Sequence, residues 1–282
     1  MNHTKNIQIF RDTEKLCKTN PTLLSATNRA IAGQKMIPEA ETLPGLIYNR
    51  YADDARVAVS SRRSLEAARR YKGQRTAVLN FASATNPGGG VVRGASAQEE
   101  CLCRCSNLYF CLNTPKMWDA FYSPHRSASD PIHNDDIIFT PDVAVFKTDT
   151  EDPELMAEKD WYAVDVITCA APNLRQRPGN PYNSGDGDKR AFLEDDQLLA
   201  LHEKRLKRIL DAALLQNVES VILGAFGCGA FSNDPEIVAR AAGNVIAGYL
   251  KAFRNIEFAV YCSPRDQRNY TIFERVLKPL TG

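Results

Sequence analysis

Residues 79–100, LNFASATNPGGGVVRGASAQEE, place three consecutive glycines seven residues ahead of a Gln-Glu-Glu triplet. Gly88, Gly89 and Gly90 let main-chain amides approach a ligand closely, because no side chain stands between. The adjacent carboxylates of Glu99 and Glu100 are poor packing groups, costly to bury unpaired, and suit acid/base work or the orientation of a substrate. The same residues also read as an ordinary loop and an acidic first helical turn favoured by the helix dipole.

A second glycine cluster, Gly224, Gly227 and Gly229 in GAFGCGAFSNDP, precedes Asn233-Asp234-Pro235, which open a helix. Strand, glycine loop and helix start together form an anion site suited to phosphates. The cluster lacks the Gly-Lys-Ser/Thr of a nucleotide-hydrolase loop and the third glycine of the dinucleotide fingerprint, and a simple tight turn remains the alternative. The two loops together suggest a nucleotide-like ligand attacked at a glycosidic carbon. A serine or cysteine hydrolase competes poorly, since His3, His125, His133 and His202 occur singly and no Gly-x-Ser-x-Gly elbow lies in the glycine loops.

Positioning these residues requires a sheet. Residues 76–82 form a β-branched apolar run that feeds the first glycine loop. Comparable runs recur at 136–146, interrupted by Pro141, and at 162–171, 220–224 and 256–261. Helical patterns fill 99–112, 189–216, 235–253 and 269–277; in the third, Ile237, Ala241, Val245 and Tyr249 line one face. The alternation predicts an α/β domain, a central sheet with helices on both faces and ligands at the carboxyl ends of its strands. Residues 174–188, rich in Pro, Gly, Asn and Asp, read as a long exposed loop. Residues 1–75 read as a mostly helical extension packed on a core of residues 76–282.

The 282 residues, 44% hydrophobic and 24% charged, suffice for a large core without disulfide staples. Thirty-five basic residues against thirty-four acidic ones, with no long run of either sign, give no reason to expect direct nucleic-acid readout. No apolar stretch approaches a membrane span and the polar start lacks a signal-peptide core, so a cytoplasmic protein with reduced thiols is expected.

The order GGG, seven residues, QEE resembles the signature of poly(ADP-ribose) glycohydrolases, and the surrounding text is similar to their bacterial-type (microbial) branch. LNFASATNPGGG, LCRCSNLYFCL, DIIFTPDVAVF, VITCAAPN and GAFGCGAFSNDP extend the resemblance in collinear order over roughly residues 75–262. The resemblance implies a macrodomain-like mixed sheet with an N-terminal helical extension, acting on ADP-ribose, poly(ADP-ribose) or an ADP-ribosylated protein. It implies that Glu100 protonates the leaving oxygen of a ribose–ribose bond and then activates water, while Glu99 orients the ribose. It places Gly88, Gly89, Gly90 and Val91 about the distal ribose and diphosphate, with Gln98 and Asn86 as further substrate contacts; Asn86 reads equally as a turn-former before Pro87. Gly227, Cys228, Gly229 and Ala230 would hold the diphosphate, and Phe231 would pack on the terminal ribose.

On this likeness the enzyme is an exo-acting glycohydrolase needing no metal or organic cofactor. The alternatives are a mono(ADP-ribosyl)-protein hydrolase and a non-catalytic ADP-ribose-binding macrodomain. Cys101, Cys103, Cys105 and Cys111 lack the spacing of zinc ligands and read as buried or half-buried thiols.

Overall fold

The computed structural model describes residues 3–181 and 184–281. Seven strands, β1 (Lys35–Ile37), β2 (Arg56–Ser60), β3 (Thr76–Phe81), β4 (Ile137–Val145), β5 (Tyr162–Cys169), β6 (Ser220–Leu223) and β7 (Asn255–Ala259), form one mixed sheet in the order β1-β4-β5-β3-β6-β7-β2. The pairs from β5 through β3, β6 and β7 to β2 are parallel, and β4 runs antiparallel to both β5 and β1. β3 and β6 alternate strictly: Ala77, Leu79, Val221 and Leu223 enter one core, and Val78 and Ile222 enter the other. A sheet apolar on both faces must be covered on both, as expected of central parallel strands.

Among the described residues ten α-helices flank the sheet: α1 (His3–Thr19), α2 (Pro21–Gly33), α3 (Ser64–Arg69), α4 (Gln98–Cys105), α5 (Leu108–Leu112), α6 (Pro115–Met117), α7 (Ser123–Ala128), α8 (Asp195–Leu215), α9 (Pro235–Ile246) and α10 (Arg268–Leu277). Apolar residues of α8, α9 and α10 close one face, and those of α1, α3, α4 and α5 the other. Asn20 caps α2, its side chain accepting from the amides of Thr22 and Leu23.

Residues 1–75 supply the expected helices, but they also supply both edge strands, β1 and β2. They are continuous with the sheet rather than appended to it. Pro141 does not end β4. The register with β5 shifts between Thr140 and Val143, a bulge that Asp142 accommodates at φ +52°. The shift swaps the strand's faces, so that Ile137 and Phe139 enter one core and Val143 and Val145 the other.

The 174–188 segment is not wholly exposed. Asp186 is buried, accepting from Asn173 Nδ2 at 2.7 Å and from the Thr85 hydroxyl at 3.1 Å, and so ties the segment to the loop after β3.

Candidate active site

The carboxyl ends of β3, β5, β6 and β7 open on a cleft of about 1000 Å³, lined among others by Glu99, Glu100, Gly227, Gly229 and Phe231. α4 starts directly over the end of β3, and Gln98 holds it there. The Gln98 amide accepts from Phe81 N at 2.9 Å and donates to Leu79 O at 2.8 Å and to the Ser64 hydroxyl at 2.9 Å. β6 pairs only with Thr76–Val78 of β3, so the side-chain amide takes over where the neighbouring strand stops. Gln98 borders the cleft, and these three polar contacts hold its side-chain amide between the end of β3 and α3.

Glu99 and Glu100 then enter the protein in the first turn of α4, each less than a tenth exposed. Glu99 Oε1 accepts from Asn80 Nδ2 at 3.2 Å and Oε2 from the Ser83 amide at 2.8 Å. Burial first, and the neighbouring Glu100 charge second, push the Glu99 carboxyl up to about 8, while the amides of Ser83 and Gly88 and the Asn80 side chain pull the other way. Glu100 Oε1 accepts from Gly90 N at 2.8 Å, and its buried Oε2 has no hydrogen-bond partner among the described residues. Burial raises this carboxyl as well, with the Gly90 amide opposing.

The first glycine loop therefore grips carboxylates before it meets any ligand. Gly88 and Gly89 both have positive φ, +66° and +57°, and Gly89 leaves no room for a Cβ beside the two acids. Val91, expected near the ribose, is fully buried in the core, and its amide closes the turn onto Gly88 O at 3.2 Å. Asn86 is likewise engaged by the protein itself. Its amide donates to Ser184 O at 2.7 Å, and its oxygen accepts from Arg126 and the Ser184 hydroxyl, pinning the 174–188 segment.

The second glycine loop presents amides that make no backbone hydrogen bond among the described residues. Its turn is closed by N–H groups of Phe226, Cys228, Ser232 and Asn233, and those of Gly229, Ala230 and Phe231 are not among the closing bonds. Gly227 has φ +79°, and a Cβ there would stand 2.7 Å from Ala171 Cβ and 2.8 Å from Asn233 Nδ2. Gly229 has open space about it and no positive φ. Asn233 Nδ2 staples the loop through Pro172 O at 2.7 Å and Gly227 O at 3.1 Å, and His202 donates to Asn233 Oδ1 at 2.8 Å. Burial lowers His202 to about 4, which keeps it neutral in that bond. Asp234 caps α9 itself, accepting from Glu236 N at 2.8 Å, so the donors left for an anion belong to the loop rather than to the helix start. Cys228 packs against the core, with its thiol on Phe226 O at 3.8 Å.

The thiols near α4 diverge. Cys101 receives Arg104 Nη2 at 3.2 Å, Cys105 meets Thr148 O at 3.3 Å, and Cys103 and Cys111 are buried. Among the described residues no group of three or more His, Cys, Asp or Glu converges as a metal site. Of the expected site residues, Glu99, Glu100, Gln98, Gly89, Gly227, Gly229, Ala230 and Phe231 line the cleft, and Asn86, Gly88, Gly90, Val91 and Cys228 do not. Sequence reasoning missed Asn80 and Ser83, which hold Glu99, although both lie in the text before the glycines.

A mixed seven-stranded sheet with an acid pair over one glycine loop and unspent amides on another defines a macrodomain-like α/β hydrolytic site. A family model for the catalytic domain of microbial-type poly(ADP-ribose) glycohydrolase matches residues 5–148, and the chain belongs to that family. The solved poly(ADP-ribose) glycohydrolase of Thermomonospora curvata is 30% identical with a TM-score of 0.81, covering 98% of this chain and 100% of its own. The same enzyme bound to the inhibitor ADP-HPD gives 30% identity, a TM-score of 0.78 and coverage of 97% and 99%. The Deinococcus radiodurans enzyme in complex with ADP-ribose gives 29%, 0.74, and 90% and 97%. A search of curated protein sequences returned no match.

Proposed function

We propose that this chain hydrolyses the ribose–ribose bond of poly(ADP-ribose) from the polymer end and releases ADP-ribose. One observation carries the reading: Glu100 borders the cleft with one carboxylate oxygen fixed by Gly90 and the other, Oε2, buried and without a partner among the described residues. An orphaned buried acceptor is costly, and a leaving oxygen or a water at that position completes its bonding. The raised affinity for a proton suits a general acid, which a carboxyl of ordinary acidity is not near neutrality.

In the proposed sequence Glu100 gives its proton to the oxygen of the departing ribose as the glycosidic C–O bond breaks. The resulting carboxylate then takes a proton from the water that attacks the anomeric carbon, which restores the acid. Glu99, held from three sides by Asn80, Ser83 and Gly88, orients the ribose hydroxyls. The amides of Gly229, Ala230 and Phe231 receive the diphosphate, and the Phe231 ring packs on the terminal ribose. A pure reader of ADP-ribose needs the amides but gains nothing from two buried acids, whose desolvation destabilises the fold. Eight free thiols suit a reducing compartment, and a cytoplasmic setting is part of the proposal.

The test is incubation with defined poly(ADP-ribose) and, separately, with mono-ADP-ribosylated protein, following free ADP-ribose by chromatography. Release from the polymer is expected. Release from neither substrate, or from the mono-ADP-ribosylated protein alone, would overturn the reading.

A further inference from the structure

The sheet order gives the cleft a direction. β5, β3, β6 and β7 are consecutive neighbours, and their carboxyl ends carry, in turn, Arg175, the Glu99–Glu100 pair, the Gly227–Phe231 loop and Tyr261. A ligand with its diphosphate on the β6 loop and its scissile ribose at Glu100 must send its nucleoside toward β7. Its leaving group then points toward β5, where Arg175 stands.

Arg175 is built for a purpose the fold does not exhaust. Its Nε donates to Asn173 Oδ1 at 3.2 Å, and its guanidinium carbon lies 5.4 Å from the centre of the Phe231 ring. Asn173 is itself fully buried and locked by Asp186 at 2.7 Å. The stem of the fork is thus fixed while Nη1 and Nη2 make no hydrogen bond among the described residues. Burial lowers the Arg175 pKa from its ordinary value, and the charges of Asp186 and then Glu100 oppose that shift, so the guanidinium stands within electrostatic reach of the acid at the reacting bond.

A planar fork with two free ends matches the oxygens of a phosphate, and fixing it in advance reduces the entropy lost on binding. In the polymer the leaving oxygen belongs to an adenosine ribose that carries its own diphosphate. A protein side chain bearing a single ADP-ribose offers no phosphate on that side. We propose that Arg175 receives a phosphate of the unit on the leaving side and so selects polymer over mono-ADP-ribosylated protein. This inference rests on the hydrolytic reading of the site given above.

The experiment compares kcat/KM for poly(ADP-ribose) with that for an aryl glycoside of ADP-ribose, which has the same scissile ribose but no leaving-side phosphate. Arg175→Ala is expected to lower the polymer-to-aryl ratio at least tenfold, mainly through a higher KM for polymer, and to flatten the dependence of that KM on salt. Arg175→Lys, which keeps the charge but loses the fork, should fall between. Equal losses on both substrates, or a ratio within twofold of the parent protein, would overturn the inference. A parent protein that cleaves the aryl glycoside but not the polymer would instead sink the proposed polymer activity, and the inference with it, before any variant is compared.

Discussion

Gly89 stands so close to Glu100 that a Cβ on the glycine would overlap Glu100 Oε1 and lie 3.1 Å from Glu99 Oε2. The absence of a side chain at residue 89 therefore helps to set the position of both acids. Its φ of +57° adds strain to any replacement. Gly89→Ala should reduce turnover by about a hundredfold or more while costing on the order of 1–3 kcal/mol of stability. Steady-state rates and a melting curve on the same sample check this; a variant with near-normal kcat would show that the acids are positioned by other means.

Glu100→Gln keeps the shape of the side chain and an oxygen for the Gly90 amide but has no proton to exchange. Turnover on polymer should fall by roughly 10²–10⁴-fold, the usual range for a lost general acid/base, with ADP-ribose affinity close to that of the parent. Calorimetric titration alongside rate measurement separates the two quantities. Retained turnover would remove Glu100 from the chemistry.

Glu99 makes the fold itself sensitive to pH. Its carboxyl titrates at about 8 in the folded protein against an ordinary value of 4.5, so the folded state binds more protons between those values. The stabilising contribution is fully present below about pH 4.5 and is lost as pH rises through about 8. Glu99→Gln should therefore melt higher than the parent at pH 8, by about 1–3 kcal/mol, with the gap narrowing toward pH 5. The unpartnered Asn80 Oδ1 can accept from the new amide once the Asn80 side chain turns over. Parallel melting profiles across that pH range would contradict a buried proton on Glu99.

Much of this site is legible in the sequence because its parts lie close together along the chain. The run from β3 through Gly88–Gly90 to Glu99 and Glu100 is local, and strand, glycine loop and acidic helix start each leave a signal in neighbouring residues. β1 and β2 are illegible: three and five residues long, with burial patterns that do not alternate, they are strands because a sheet edge recruits them. Sequence shows Asn86 and Gln98 as polar side chains beside the glycine loop but not the protein partners that fix them. Ser184 lies 98 residues from Asn86, and Gln98 meets β3 only after the chain has turned back on itself. Arg175 gives no signal, since its segment has no period and its Phe231 platform comes from another strand's loop.

The two glycines of the second loop divide structure from binding. At Gly227, φ +79° and the contacts with Ala171 and Asn233 make any side chain a strain on the fold, so Gly227→Ala should lower the melting temperature. At Gly229 nothing lies within 4 Å of the place a Cβ would occupy and φ is not positive, which removes the backbone argument for glycine expected from sequence. What remains is the ligand: Gly229 borders the cleft beside the unspent amides of Ala230 and Phe231. Gly229→Val should therefore weaken ADP-ribose binding at least tenfold, about 1.4 kcal/mol, with little change in melting temperature. Titration calorimetry paired with a melting curve gives both numbers on one preparation. If Gly229→Val bound ADP-ribose as tightly as the parent, the diphosphate would have to lie elsewhere in the cleft.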